Sequence, residues 1–109
     1  MLERKEELLE TVLTKDVVLF GAGAVGQAVL AFLTDAGARY RIHQIAVTRS
    51  VCQPENLFGI PVRTLDELAL PQDTNIIVAT KENLQPEILG CLSNRGLTNV
   101  VAMSVGRSL

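Results

Sequence analysis

A glycine-rich segment, GAGAVG at residues 21–26, has the spacing of a phosphate-binding turn. It follows an apolar run and begins a segment of helical periodicity, which is the context that the G-x-G-x-x-G pattern requires. In such a turn the first glycine allows a tight bend, the second lets a phosphate approach the backbone, and the third brings the helix close to the strand. Free N–H groups and the positive end of the helix dipole then favour an anion. The predicted phosphate-binding residues are Gly21, Gly23, Ala24, Val25 and Gly26.

The residues after a second apolar run bear on the kind of nucleotide. An NAD site has Asp or Glu about 20 residues after the glycines, where the carboxylate binds the ribose hydroxyls. This sequence has Thr48, Arg49 and Ser50 there. The two hydroxyls could bind a ribose, and Arg49 could pair with a 2′-phosphate or a diphosphate. These residue types disfavour NAD, whereas a nucleotide-sugar, NADP or a CoA-like molecule remains possible as the ligand. The alternative is that these residues bind no ligand and belong to a solvated surface loop.

Two further polar residues, Thr80 and Lys81, follow another apolar run and are expected at the same edge of the sheet as the glycines. The Thr80 hydroxyl could bind a phosphate or a ribose, and Lys81 could supply positive charge. The alternative is that Thr80 or Asn83 caps a helix and that Lys81 is solvated.

No combination of residues predicts a catalytic centre. His43 is the single histidine and is expected at the edge of the sheet opposite the ligand. Cys52 and Cys91 match no metal-binding or redox spacing, and Asp66 and Glu67 read as helix-capping residues. We therefore expect no metal site and no catalysis within these 109 residues.

The apolar spacing predicts the elements that must position these residues. Strands are predicted at 17–20, 42–47, 60–62, 75–79 and 99–103. Helices are predicted at 2–14, 25–36 and 84–94. A further short helix is predicted to begin at the capping box of residues 64–67 and to end before Pro71. Alternating strands and helices predict an α/β fold of three layers, a Rossmann-like parallel sheet of order 3-2-1-4-5 with residues 60–62 at one edge. Ligands of such sheets bind at the carboxyl ends of the strands, where the strand order reverses.

An additional helix is predicted at the N-terminus, so that residues 1–14 form an amphipathic helix and residues 15–109 the nucleotide-binding domain. Its apolar side chains are Leu2, Leu8, Leu9, Val12 and Leu13. A helix this short needs tertiary packing. We expect this stripe to pack on the domain itself, on another part of a longer protein, or on a second copy in a homo-oligomer.

Composition excludes several classes of function. Apolar residues make up 48% of the chain and charged residues 20%, and the net charge is −2. The Lys and Arg residues are scattered along the chain. Nucleic-acid binding requires a basic patch that this sequence does not have. No apolar run approaches the length of a membrane span, and the charged first residues differ from a signal peptide. We expect a cytoplasmic protein without membrane insertion.

Four segments together resemble a known group of modules: VVLFGAGAVGQ (17–27), RIHQIAVTRS (41–50), LFGIPVRTLDEL (57–68) and NIIVAT (75–80). They are similar to the small nucleotide-binding domains of bacterial surface-polysaccharide biosynthesis proteins, over about residues 15–103. Such modules occur at the N-terminus of sugar O-acyltransferases, in nucleotide-sugar dehydratases, and attached to glycosyltransferases or methyltransferases; CoA-binding domains look alike too. The GIPV and LDEL segments are the more specific part of the resemblance.

The resemblance implies a nucleotide or nucleotide-sugar site at Gly21, Gly23 and Gly26. Many of these relatives carry acids at the end of the second strand, where this chain has Thr48, Arg49 and Ser50. The resemblance also implies a fused or partner catalytic domain, of transferase type, outside these residues.

Three functions remain open on the sequence. The first is a nucleotide- or nucleotide-sugar-binding module of a cell-surface polysaccharide enzyme, whose partners are a small phosphorylated ligand and a catalytic domain. The second is a ligand-free structural or oligomerisation module, in which the glycines serve only backbone geometry. The third is a small NADP- or CoA-binding regulatory domain.

Overall fold

A computed structural model describes residues 5–14, 16–48 and 55–103. Its helices are α1 (Lys5–Thr14), α2 (Ala24–Asp35), α3 (Leu65–Leu68) and α4 (Gln85–Asn94). Its strands are β1 (Val17–Phe20), β2 (Ile42–Val47), β3 (Asn56–Leu57), β4 (Ile60–Thr64), β5 (Asn75–Ala79) and β6 (Val100–Met103), and short 3₁₀ turns cover Arg39–Arg41 and Glu82–Leu84. Among the described residues, no helix is both long and apolar enough to cross a membrane.

The six strands form one sheet in the order β3-β4-β2-β1-β5-β6, and every neighbouring pair is parallel except β3 and β4. This order differs from the predicted 3-2-1-4-5, because the unpredicted β3 forms an antiparallel hairpin with β4 and takes the edge expected for residues 60–62. A two-residue strand is too short for periodicity to detect. The α/β class and the mostly parallel sheet are confirmed.

Proline at position 61 is compatible with this interior place in the sheet. Pairing between β2 and β4 begins at Val62, which is opposite Ile45, so Pro61 lies outside that register. On the other side Pro61 is opposite Asn56 of the short β3. A residue without an N–H therefore interrupts no rung between β2 and β4.

The continuous apolar run of β1 lies at the centre of the sheet and is buried along its whole length. Successive side chains of a strand point to opposite faces, and β1 divides accordingly. Val17 and Leu19 belong to a core cluster with α1 and α2, whereas Val18 and Phe20 belong to a second cluster with α3 and α4. Helices therefore cover both faces of the sheet.

Helix α1 packs on the core of its own domain. Leu8 and Val12 are fully buried in the cluster that contains β1 and α2, and Leu9 packs partly buried against it. The Arg41 guanidinium donates from Nε to the Val12 carbonyl at 2.9 Å and thereby holds the end of the helix. Leu13 of the predicted stripe is 51% exposed in this chain, so it does not pack on the domain itself, and Leu2 lies outside the described residues.

Two predicted helix boundaries are confirmed by their hydrogen bonds. After α2, the Ala38 N–H donates to the Leu33 carbonyl at 2.8 Å and the Gly37 N–H donates to the Thr34 carbonyl at 3.1 Å, which is the hydrogen-bond pattern of a glycine-terminated helix. Before α3, Thr64 and Glu67 form the predicted capping box.

Candidate functional site

The turn after β1 brings three strands together at Gly21. Its N–H donates to the Ala46 carbonyl of β2 at 2.9 Å. Its φ of +124° is one that side-chain-bearing residues rarely adopt. A Cβ atom there would collide with the Ala79 carbonyl oxygen of β5 and lie 3.1 Å from Thr80 Cγ2. Gly21 is therefore required by the packing of the turn between β2 and β5.

Gly26 is required by the approach of α2 to the same turn. It is buried in the first turn of the helix, and a Cβ atom would collide with the Gly21 carbonyl oxygen and lie 2.9 Å from its carbonyl carbon. Close packing of helix and strand is the role predicted for the third glycine.

Gly23 differs from both. It is the N-cap of α2, with φ −86° and ψ −158°, an extended conformation open to any residue, and it supplies no side-chain cap. Apart from its two chain neighbours, no atom of the described residues lies within 4 Å of the position that its Cβ would occupy. The packing of the described residues thus gives no reason for glycine at this position.

The backbone at the start of α2 offers unpaired donors toward this open space. The first intrahelical bond runs from the Gln27 N–H to the Gly23 carbonyl at 2.9 Å. The N–H groups of Ala24, Val25 and Gly26 precede it and so have no acceptor within the helix. An anion above Gly23 would meet these donors and the positive end of the helix dipole.

A cleft of about 640 Å³ lies over the turn at the carboxyl edge of the sheet. This volume is within the range of small-molecule sites, roughly 300–1,000 Å³. The cleft separates the end of β2 from the end of β5 and the start of α4, on the two sides of the central β1. The strand order reverses at this point, which is where the fold class predicts a ligand.

Most of the predicted site residues line this one cleft: Gly21, Gly23, Ala24, Val25, Thr48, Thr80 and Lys81. Gly26 does not line it, because it lies buried behind the turn. Arg49 and Ser50 lie outside the described residues.

The alternative roles proposed for Thr80 and Asn83 as helix caps are not what the structure has. The N-cap of α4 is Leu84, and no side chain caps this helix. The Thr80 hydroxyl is half-buried at the cleft and donates to the Lys81 carbonyl at 3.5 Å, the limit of a hydrogen bond. Thr80 and the exposed Lys81 both line the cleft.

One wall of the cleft was missed by the sequence reasoning. It is formed by Leu84, just before α4, and by Glu87, Ile88 and Cys91 of that helix. Their spacing of three and four residues marks one helix face, a signal present in the sequence.

The side-chain amide of Gln85 holds the start of α4, and with it this wall of the cleft, against the sheet. Its Nε2 donates to the Thr80 carbonyl at 3.1 Å and to the Met103 carbonyl at 2.8 Å. These carbonyls stand at the ends of β5 and β6, so one amide ties the first turn of α4 to two strands. No sequence pattern predicts this role for Gln85.

The charged side chains of this cleft are of opposite sign. In the described part of its lining they are Lys81 and Glu87. An anion would therefore be attracted mainly by the backbone N–H groups at the start of α2, and not by a cluster of Lys or Arg side chains. Within the described ranges, no group of three or more His, Cys, Asp or Glu is placed to hold a metal ion.

A smaller hollow of about 310 Å³ lies at the amino edge of the sheet, where His43 and Asp73 are among its lining residues. Asp16 and residues at the starts of β1 and β5 also line it. None of the predicted ligand-binding residues lines it.

No protein-family model matches this chain, and no curated protein matches it. A functional assignment therefore has to come from the chemistry of the cleft.

Proposed function

We propose that this chain is a Rossmann-like module that binds a nucleotide-type ligand at the carboxyl edge of its sheet, with a phosphate above Gly23. The single observation that carries the proposal is the open space at Gly23, next to the unpaired N–H groups of the first turn of α2. The cleft over the turn is large enough for more than a phosphate.

The contrast among the three glycines supports a ligand over a scaffold. A turn that only connects β1 to α2 needs Gly21 and Gly26, where a Cβ would collide with backbone. Packing does not require glycine at Gly23, and at this N-cap position Ser, Thr, Asp or Asn would also bond a free N–H of the first turn. A phosphate that must approach the backbone accounts for a residue without a side chain.

The residues near the phosphate position favour some nucleotides over others. The end of β2 presents Thr48 and no carboxylate, which disfavours NAD. Nucleotide-sugars, NADP and CoA-like ligands remain within the proposal. We propose that chemistry takes place on a fused or partner transferase of surface-polysaccharide synthesis.

The proposal is tested by measuring binding to the isolated chain. Calorimetry and thermal shift with uridine, cytidine, guanosine and adenosine diphosphates, their sugar conjugates, NAD, NADP, CoA and inorganic phosphate should identify a nucleotide that stabilises the fold. Gly23→Val should weaken this binding at least about tenfold, since the side chain takes the place of the phosphate, while the melting temperature of the free protein holds.

The matched control is Gly90→Val, at a glycine of α4 whose Cβ position is also open and which does not line the cleft. It should bind as the parent does. A panel in which no nucleotide stabilises the chain, or a Gly23→Val protein that binds as well as the parent, overturns the proposal and leaves a structural module.

A further inference from the structure

On the α4 side, the wall of the cleft carries apolar side chains that are partly exposed to the cleft instead of being fully buried in the core. Leu84 is 45% exposed at the cleft, and Ile88 and Cys91 are half-buried there, with their other sides against the core. The fully buried residue of α4 is Leu92, which faces inward. The face with Leu84 and Ile88 is thus an apolar surface that borders the proposed phosphate position.

One carboxylate interrupts this apolar wall. Glu87 lines the cleft and is exposed, and its side chain has no hydrogen bond or ion pair with any other described residue. Because it lies across the cleft from the start of α2, a bound ligand would bring its own polar groups toward this acceptor. A carboxylate is an acceptor only, so it is satisfied by hydroxyl or N–H donors.

The pairing of an apolar surface with one acceptor restricts the ligand. A second phosphate near Glu87 would meet a negative charge. A purely apolar group, such as an acyl chain, would cover the carboxylate without giving it a donor, which is unfavourable. A neutral ring with hydroxyl groups on its rim and C–H groups on its face satisfies both surfaces.

We infer that Leu84, Glu87 and Ile88 form a sugar subsite, in which a sugar joined to the nucleotide's phosphate lays its C–H face on Leu84 and Ile88 and donates hydroxyl hydrogen bonds to Glu87. This inference rests on the proposed function, which it narrows from nucleotides in general to nucleoside diphosphate sugars. Glu87 is the carboxylate that accepts hydrogen bonds from hydroxyl groups, and it lies on the β5 side of the cleft. In the described lining, the β2 side has Thr48 and no carboxylate.

Position in the helix gives Glu87 a second effect that the test must separate. Acids in the first turn stabilise a helix through its dipole, and Glu87 is in the first turn of α4. A loss of binding caused by a weakened helix would affect all ligands alike, whereas loss of a hydroxyl acceptor affects only ligands that carry the sugar.

The test compares each nucleoside diphosphate with its sugar conjugate by calorimetry, for the uridine, cytidine, guanosine and adenosine pairs. In the parent the sugar form of the preferred nucleotide should bind about tenfold tighter than the bare diphosphate. Glu87→Gln should remove that advantage and leave affinity for the bare diphosphate unchanged or higher, since a negative charge has been removed. Leu84→Ala should lower affinity for the sugar form several-fold.

Two control variants make equivalent changes elsewhere. Glu6→Gln removes an acid from the first turn of α1, and Leu89→Ala shortens an exposed leucine of α4 that does not line the cleft. Both should keep the parent's preference. The sugar subsite is overturned if a diphosphate binds but its sugar adds no affinity, or if Glu87→Gln weakens both forms equally; absence of all nucleotide binding overturns the proposed function as well.

Discussion

Gly26 lies so close to Gly21 that a methyl group on Gly26 would collide with the Gly21 carbonyl oxygen. The first turn of α2 and the bend after β1 are therefore one packed unit. We expect Gly26→Ala to lower the free energy of unfolding by about 1–3 kcal/mol, because α2 has to move away from the turn. Urea unfolding of the free protein measures this change.

Gly23→Ala is the matched control, since its methyl group would enter open space. It should change the free energy of unfolding by less than about 1 kcal/mol, because the lower entropy of the unfolded chain offsets the poorer capping by alanine. Equal losses for both variants would contradict the distinction between a glycine required by packing and a glycine that faces open space.

The Gln85 amide should stabilise the folded protein, in addition to holding α4 at the cleft. Gln85→Leu leaves the Thr80 and Met103 carbonyls without the donor that they share at 3.1 and 2.8 Å. We expect the free energy of unfolding to fall by about 1–3 kcal/mol. Gln27→Leu is the comparison, because Gln27 is exposed and its amide donates to the Ala22 carbonyl only at 3.4 Å. Similar losses at both positions would show that Gln85 does not anchor α4.

Helix α1 offers a test of which side chains hold it on the sheet. Leu8 is fully buried, so Leu8→Ala should lower the free energy of unfolding by about 2–5 kcal/mol. Leu13 is 51% exposed, and Leu13→Ala should change it by less than about 0.5 kcal/mol. Thermal and urea unfolding distinguish the two. A large effect at Leu13 would instead indicate that this residue is covered by another molecule or domain.

The capping box before α3 should give stability a pH dependence. The pKa of the Glu67 carboxyl lies below its ordinary value of 4.5, because the carboxylate accepts hydrogen bonds from the Thr64 backbone N–H and from the Thr64 hydroxyl. A carboxyl whose pKa is lower in the folded state stabilises that state above the unfolded pKa, and loses this effect as pH falls through the folded pKa. The parent should thus exceed Glu67→Gln in stability near pH 6, and the difference should vanish as the pH falls below 4.5.

A titration followed by NMR checks the cause of this shift. Thr64→Ala removes the hydroxyl but keeps the backbone N–H, which is the larger contribution. The pKa of Glu67 should rise in this variant and still remain below 4.5. An unchanged titration in Thr64→Ala would assign the shift to the backbone alone.

Local sequence determined much of the backbone of this protein. The uninterrupted VVLF run predicts a strand buried on both faces, the GAGAVG segment a sharp turn into a helix, and Thr64 with Glu67 a helix start, and each is where its local pattern places it. Such features depend on side chains a few residues apart, whose periodicity and capping chemistry are readable without the fold. The ligand class predicted from the same segments remains a proposal.

Tertiary structure decided which surfaces those elements share. Pairing of β1 with β5, nearly sixty residues later in the chain, sets α4 beside the glycine turn and makes Leu84 and Glu87 part of the cleft. The same close packing of β1, β2 and β5 separates Gly21 and Gly26, which backbone atoms surround, from Gly23, which faces open space. The spacing of the motif predicts a separate role for each glycine, but the atoms that a Cβ would meet at each position depend on the strands and helices that chain crossovers bring together.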